Sequence, residues 1–252
     1  FSASLTYVLV VVPISVALGL GSALLISSLR IGGELYKAVF FLPVMATLLA
    51  MAIVWEFALN PIVGVVNDVL RSGCDKSWVY ALMTGSWAGN DPTTSWYGAA
   101  CIKKFPLWLG DKQYALGTIA FIGIWQGFGF NMVLYLAGLT SVPRDLYQAA
   151  HMDGADSAWE RFKLVTWPML GPTNVFVITI SSIRSFQVFD TVEALTGGGP
   201  SKSTYVMVYA MFEKGVKQNL LGIGSAITIV FLAFVLILTL VQVYFVNRKV
   251  HY

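Results

Sequence analysis

Five apolar runs constrain this chain more than anything else in it. They are Leu5–Ser27, Ala38–Leu59, Tyr114–Leu139, Thr173–Phe189 and Leu220–Phe245. The first, Leu5–Ser27, is long enough to cross a hydrocarbon core of roughly 30 Å, while Thr173–Phe189 is shorter and noticeably more polar. In lipid no water satisfies backbone N–H and C=O groups, so continuous apolar runs of this length must be helical. Charged residues make up 12% of the chain and mean hydropathy is +0.72, whereas soluble domains are about a quarter charged. The chain reads as an all-α polytopic membrane protein. It opens on Phe1, almost inside the first run, without the basic segment and cleavage site of a signal peptide.

Residues 1–252 form a single membrane domain with three polar interruptions. Pro13 and Pro43 lie within the first two spans, where neighbouring helices can compensate for them. Trp55 is placed as an interface anchor, and Asn60-Pro61 closes the second span before a short expected helix, Ile62–Leu70. The first interruption, residues 61–112, contains Cys74 and Cys101, the only cysteines. Outside the cytoplasm these are candidates for a disulfide; inside they are two free thiols.

The second interruption, 143–170, lies within a run from Pro143 to Pro172 that carries seven of the 29 Asp, Glu, Lys and Arg residues. Pro143 and Asp145 suit a helix start. Leu146, Ala149 and Ala150 fall at i, i+3 and i+4 and are expected to share a small apolar face. Gly154 suits a left-handed stop. Ser157 with Glu160 is a capping box that starts a second helix, expected to reach about Val165. Trp167-Pro168 is then expected to redirect the chain. By chemistry alone this is equally a linker between spans or a docking element.

The third interruption, 190–219, holds Gly197-Gly198-Gly199-Pro200-Ser201-Lys202 and an expected helix Thr204–Phe212. It is not a P-loop, because Ser201 stands where the phosphate-binding pattern needs Gly and no strand precedes it. His151 and His251 are the only histidines, and there is no metal-ligand spacing, nucleophile motif or paired carboxylate within a span. Catalysis therefore has no constellation to work with. No basic stripe interleaved with aromatics argues for nucleic acid.

Polar groups inside spans are expensive and usually face a cavity or a partner. Arg184 sits mid-span with Ser181 and Gln187 on its face; Gln126, Gly127, Phe130 and Asn131 lie in the preceding span. Amides beside aromatic rings suit a polyhydroxylated ligand. The same groups also serve as glue between helices.

The run from Ala149 resembles the cytoplasmic EAA loop of permease subunits of binding-protein-dependent ABC importers. Ala149, Ala150, Asp153, Gly154, Ala155, Trp159, Phe162, Pro168, Leu170 and Pro172 match that family's pattern, while Gln148 stands where it usually has Glu. Leu195–Pro200, LTGGGP, resembles a signature of the sugar-type subgroup, near maltose and glycerol-3-phosphate permeases. The resemblance implies a type I importer permease bundle with five of an expected six spans, the sixth preceding Phe1. It implies a bacterial or archaeal inner membrane, with 143–170 cytoplasmic and the loops 61–112 and 190–219 external. A bare count of positive residues does not set this orientation; the motif does.

The implied partners are the lipid bilayer, a second homologous permease, two ATPase subunits that hold ATP and Mg, and an external substrate-binding protein. This chain itself would bind no cofactor and be no enzyme. ATPase docking would fall to Leu146, Gln148, Ala149, Ala150, Asp153, Gly154, Ala155 and Phe162. A carbohydrate or polyol would pass Gly127, Phe130, Asn131, Ser181, Arg184 and Gln187 by alternating access. From the residues alone, an ATPase-independent transporter or channel stays open.

Overall fold

A computed structural model describes residues 1–29, 32–67 and 107–247. Cys74, Cys101, Arg30, Arg248, Lys249, His251 and most of the 61–112 loop lie outside the described residues. Helix α1 is Ser2–Ser28, α2 Gly33–Met45, α3 Leu48–Ala58 and α4 Ala115–Thr140. Next come α5 Arg144–Met152 and α6 Ala158–Arg161, then a π-turn Phe162–Thr166 and α7 Trp167–Met169. They are followed by α8 Gly171–Phe186, α9 Asp190–Leu195 and α10 Met207–Phe212. A second π-turn, Glu213–Lys217, leads into α11 Leu221–Asn247.

Among the described residues, four stretches are long and apolar enough to span a membrane: Ser2–Ser28, Ala115–Thr140, Gly171–Leu195 and Leu221–Gln242. The second expected span is not one helix. It breaks between α2 and α3, which meet at 97°. Ala46 and Thr47 are extended, and the Thr47 hydroxyl accepts from the Ala50 amide to cap α3. An apolar run reports burial in lipid, not continuity of the helix, so hydropathy alone could not show this break. The Gln126 amide reaches back across 3.5 Å to the Pro43 carbonyl near the break. After α3 the expected helix from Ile62 begins instead as a turn, because the Asn60 side chain accepts from the Ile62 and Val63 amides.

Helices α1, α4 and α8 form the centre. Ser15 bonds Asn131 and Ile26 packs near Tyr135, so α1 and α4 run in the same direction. Asn131 meets Ser181 while Gly138 lies against Thr173, so α8 returns antiparallel. One core joins Tyr7, Val11, Ile119, Phe186, Val192 and Tyr209; a second joins Ala23, Met132, Tyr135, Leu170 and Val177. The close approach of α1 and α4 depends on small residues. Ser15, Gly19 and Ala23 make a buried stripe, and a Cβ on Gly19 would stand 2.6 Å from the Asn131 Cβ.

Helix α11 packs on α8 through Gln242, which donates to the Ser182 hydroxyl at 3.0 Å. Almost all of it is left uncovered by the rest of the described residues. A helix apolar all round and uncovered in one chain faces lipid or another subunit.

Candidate functional site

The six residues expected on a substrate path, Gly127, Phe130, Asn131, Ser181, Arg184 and Gln187, line a single cavity of about 460 Å³. Helix α4 contributes the first three and the end of α8 the rest. Tyr7, Val11 and Ser15 of α1 close one side. The α2 end adds Val44 and Ala46, and the kink between α8 and α9 adds Phe189 and Asp190. That kink follows from the end of α8: the Gln187 amide bonds back to Ile183 and Arg184, and Phe189 then leaves helical geometry (φ −141°, ψ −59°).

The polar residues differ in what they have left to offer. Asn131 is 1% exposed, accepts from the Ser181 hydroxyl at 2.8 Å and donates to the Ser15 hydroxyl at 3.4 Å. Its amide joins three helices, which is the helix-glue role. Arg184 is exposed, with its guanidinium carbon 4.1 Å from the centroid of the Phe130 ring. It joins none of the ion pairs found among the described residues, which are Lys37–Glu34, His151–Asp156 and Lys217–Glu193. Sequence reasoning missed Tyr7, Ser15 and Asp190 in this cavity. The Ser15, Gly19, Ala23 spacing was the available signal for Ser15.

At the far end of α4 the polar run folds into a compact hairpin. Gly154 adopts φ +89°, the Ala155 amide donates to the Ala150 carbonyl, and the Gly154 amide to that of His151. Ser157 and Glu160 make both bonds of the capping box, at 3.1 and 3.0 Å. Ala150 and Ala155 pack with Val142 and Val165, and the Tyr147 hydroxyl lies 3.0 Å from the Thr166 hydroxyl. The expected shared face is thus divided. Ala150 turns inward, while Leu146 and Ala149 stay exposed. The two buried alanines are small because the hairpin closes on itself there. Gln148, Asp153 and Gly154 are also exposed, beside Met152 at 87% and Trp159 at 70%. Phe162 is half-buried between Trp159 and Trp167.

Trp167-Pro168 does not redirect the chain. Trp167 keeps helical angles (φ −63°, ψ −46°) and donates to the Phe162 carbonyl. The π-turn widens the backbone one turn ahead of Pro168, and this relieves the clash and missing N–H that a proline brings to a helix.

The LTGGGP run is an ordered turn. Gly197 and Gly198 have φ +53° and +77°, and a Cβ on Gly198 would meet the Tyr209 ring at 2.6 Å. The Thr204 hydroxyl, fully buried, donates to the Gly199 carbonyl at 2.6 Å, and the Met207 amide donates to the Ser4 hydroxyl at 2.9 Å. The helix expected from Thr204 starts only at Met207, since Thr204 and its neighbours are committed to this turn. Tyr205 donates to the Glu213 carboxylate, and burial together with that bond pushes its pKa up to about 12.

Residues 15–251 match the family of binding-protein-dependent transport system inner membrane components. The chain belongs to that family. These are the permease subunits of ABC importers, so its multi-pass membrane character and all-α bundle are those of an importer permease. The permease is 32% identical over 243 residues to the trehalose/maltose transport system permease protein MalF of Thermococcus litoralis, covering 96% of this chain and 71% of that one. It is 28% identical over 254 residues to the sn-glycerol-3-phosphate transport system permease protein UgpA of Brucella abortus biovar 1, covering 100% and 76%. Its fold matches a chain in the crystal structure of a bacterial alginate ABC transporter in complex with an alginate pentasaccharide-bound periplasmic protein. The TM-score is 0.79 at 21% identity, covering 99% of this permease and 78% of that chain.

Proposed function

We propose that this chain is the transmembrane subunit of an ATP-driven importer that moves a carbohydrate or related polyol by alternating access. One observation carries the proposal. The capped hairpin of α5 and α6 joins α4 through the short turn 141–143 and α8 through the π-turn and α7, and α4 and α8 are the helices that wall the polar cavity. A push on α5 therefore reaches the cavity through helices rather than through loose chain. The hairpin is stiffened by the glycine stop, the capping box and the Ala150–Val165 packing. Leu146, Gln148, Ala149, Met152, Asp153 and Gly154 form its outward surface, which suits a groove on an ATPase subunit. Ala150, Ala155 and Phe162 support that surface from beneath.

ATP and Mg belong to two such ATPase subunits; this chain supplies no catalytic group and binds no cofactor. A second, similar permease covers the apolar α11, and the LTGGGP turn lies outside, where a loaded binding protein delivers substrate. The membrane is the inner membrane of a bacterium or archaeon. The substrate class is supported by the relatives' named substrates, a disaccharide pair and a glycerol phosphate, which share closely spaced hydroxyls.

The test is purification of the tagged chain from its native membrane, followed by reconstitution. Copurifying ATPase subunits and uptake that stops when ATP is depleted are expected. A chain that purifies without an ATPase and transports without ATP is a secondary transporter or channel, and the proposal fails.

A further inference from the structure

The cavity's polar groups divide into engaged and free. Asn131, Ser181 and Ser15 are committed to one another, and Gln126 to the Pro43 carbonyl. The side chains of Arg184, Gln187 and Asp190 line the same space and have no hydrogen-bond or ion-pair partner among the described residues. Arg184 lies 13 residues into the 25-residue span Gly171–Leu195, roughly 20 Å from its start at 1.5 Å per residue. That is about midway along the apolar span, where an uncompensated cation is costly.

We propose that the cavity accepts a polyhydroxylated ligand carrying an oxyanion, either phosphate or carboxylate, and that Arg184 selects for it. The inference rests on the transport reading above and sharpens its substrate class. Three features favour an anion over a neutral sugar. The guanidinium fork matches two oxygens of a phosphate or carboxylate at once, which a single hydroxyl cannot offer. Its place over Phe130 holds it before the ligand arrives, so less side-chain freedom is lost on binding. A neutral ligand would leave the charge uncompensated after displacing water from around it; an oxyanion removes that cost. No ion pair joins Asp190 to Arg184, so its carboxylate is free to accept a hydroxyl hydrogen of the ligand. Gln187 can bond further hydroxyls. The ligand is therefore an acid at one end and a polyol at the other.

The experiment uses the complex purified with its native partner subunits and reconstituted in proteoliposomes. Labelled glycerol 3-phosphate, glucose 6-phosphate, digalacturonate and neutral maltose are the probes, each with and without ATP. ATP-dependent uptake of a phosphate or a carboxylate probe is expected, and the probe preferred identifies which oxyanion is read. Arg184→Gln should lower that uptake at least about tenfold, the scale of losing one partner of a desolvated charge pair; Arg184→Lys should retain part of it. Subunit copurification checks assembly, and Phe130→Leu, which keeps the charge and removes the ring, should give an intermediate loss. ATP-dependent uptake of maltose alone, no uptake of any anionic probe, or anionic uptake unchanged in Arg184→Gln overturns the inference. ATP-dependent maltose uptake leaves the transport reading standing, whereas uptake without ATP overturns both.

Discussion

Ser181 donates its hydroxyl hydrogen to the Asn131 carboxamide oxygen across 2.8 Å, with both residues buried between α4 and α8. Asn131 at the same time donates to Ser15 of α1. One amide therefore sets the relative position of three helices beside the cavity.

Replacing Asn131 with Leu, similar in shape but without the amide, should cost about 1 kcal/mol of bundle stability, within the range of interhelical hydrogen bonds in membranes. Thermal unfolding in detergent or nanodiscs measures it. Ser181→Ala should cost less in the Asn131→Leu background than in the wild type, because its partner is already gone. Full additivity of the two changes would show that the bond contributes nothing.

Gly19 and Gly21 lie on the same helix and predict opposite outcomes. A Cβ at Gly19 would stand 2.6 Å from the Asn131 Cβ, whereas one at Gly21 meets nothing within 4 Å. Gly19→Ala should force α1 from α4 and cost about 1–3 kcal/mol, the usual scale of overpacking. Gly21→Ala should be neutral or stabilising by up to about 1 kcal/mol, since Ala is the better helix former. Equal melting temperatures for the two variants would contradict the α1–α4 packing.

Gly154 is needed for its backbone and not for space: φ is +89° and a Cβ there touches nothing. Gly154→Ala should add about 1–2 kcal/mol of left-handed strain and leave the bundle folded. Gly154→Asp adds charge to the outward surface and should lose ATPase association or coupling with the spans intact. Copurified ATPase and ATP-driven uptake are the readouts; normal coupled transport in Gly154→Asp would remove the docking role.

Tyr205 should titrate late. Burial and the bond to Glu213 push its pKa up to about 12, so the fold favours the neutral phenol. The resulting stability is present below the ordinary tyrosine pKa near 10 and is lost as pH rises through about 12. An ultraviolet difference titration of wild type against Tyr205→Phe should place this tyrosine's ionisation above that of exposed tyrosines. Glu213→Gln should bring it down, because it removes the negative charge that opposes ionisation. A midpoint near 10 in the wild type would show that the turn is open to water.

Much of the local structure was legible from neighbours in sequence. The left-handed stop at Gly154 and the Ser157–Glu160 box depend on residues three or four apart, and both formed as expected. The spans were legible because lipid penalises every unsatisfied backbone group. The 97° break between α2 and α3 was not, because the run stays apolar across it. Nor was the inward turn of Ala150, which depends on Val142 and Val165 meeting it from other elements. Pro168 misled because its cost is local, while the remedy is a π-turn lying upstream.

For the site, the sequence by itself determined which polar residues would be held at membrane depth, because each stands out against an apolar run and cannot be hidden in lipid. It did not determine their roles. Asn131 and Arg184 read alike as intramembrane polar groups, and only the tertiary structure separated them. Asn131 met Ser15 and Ser181 because Gly19 lets α1 close on α4, so its hydrogen bonds are filled. Arg184 met an aromatic face and open space where α8 ends in a kink. Whether the hydrogen-bonding capacity of such a group is filled or left open depends on how many partners reach it, and those partners come from helices distant in the chain.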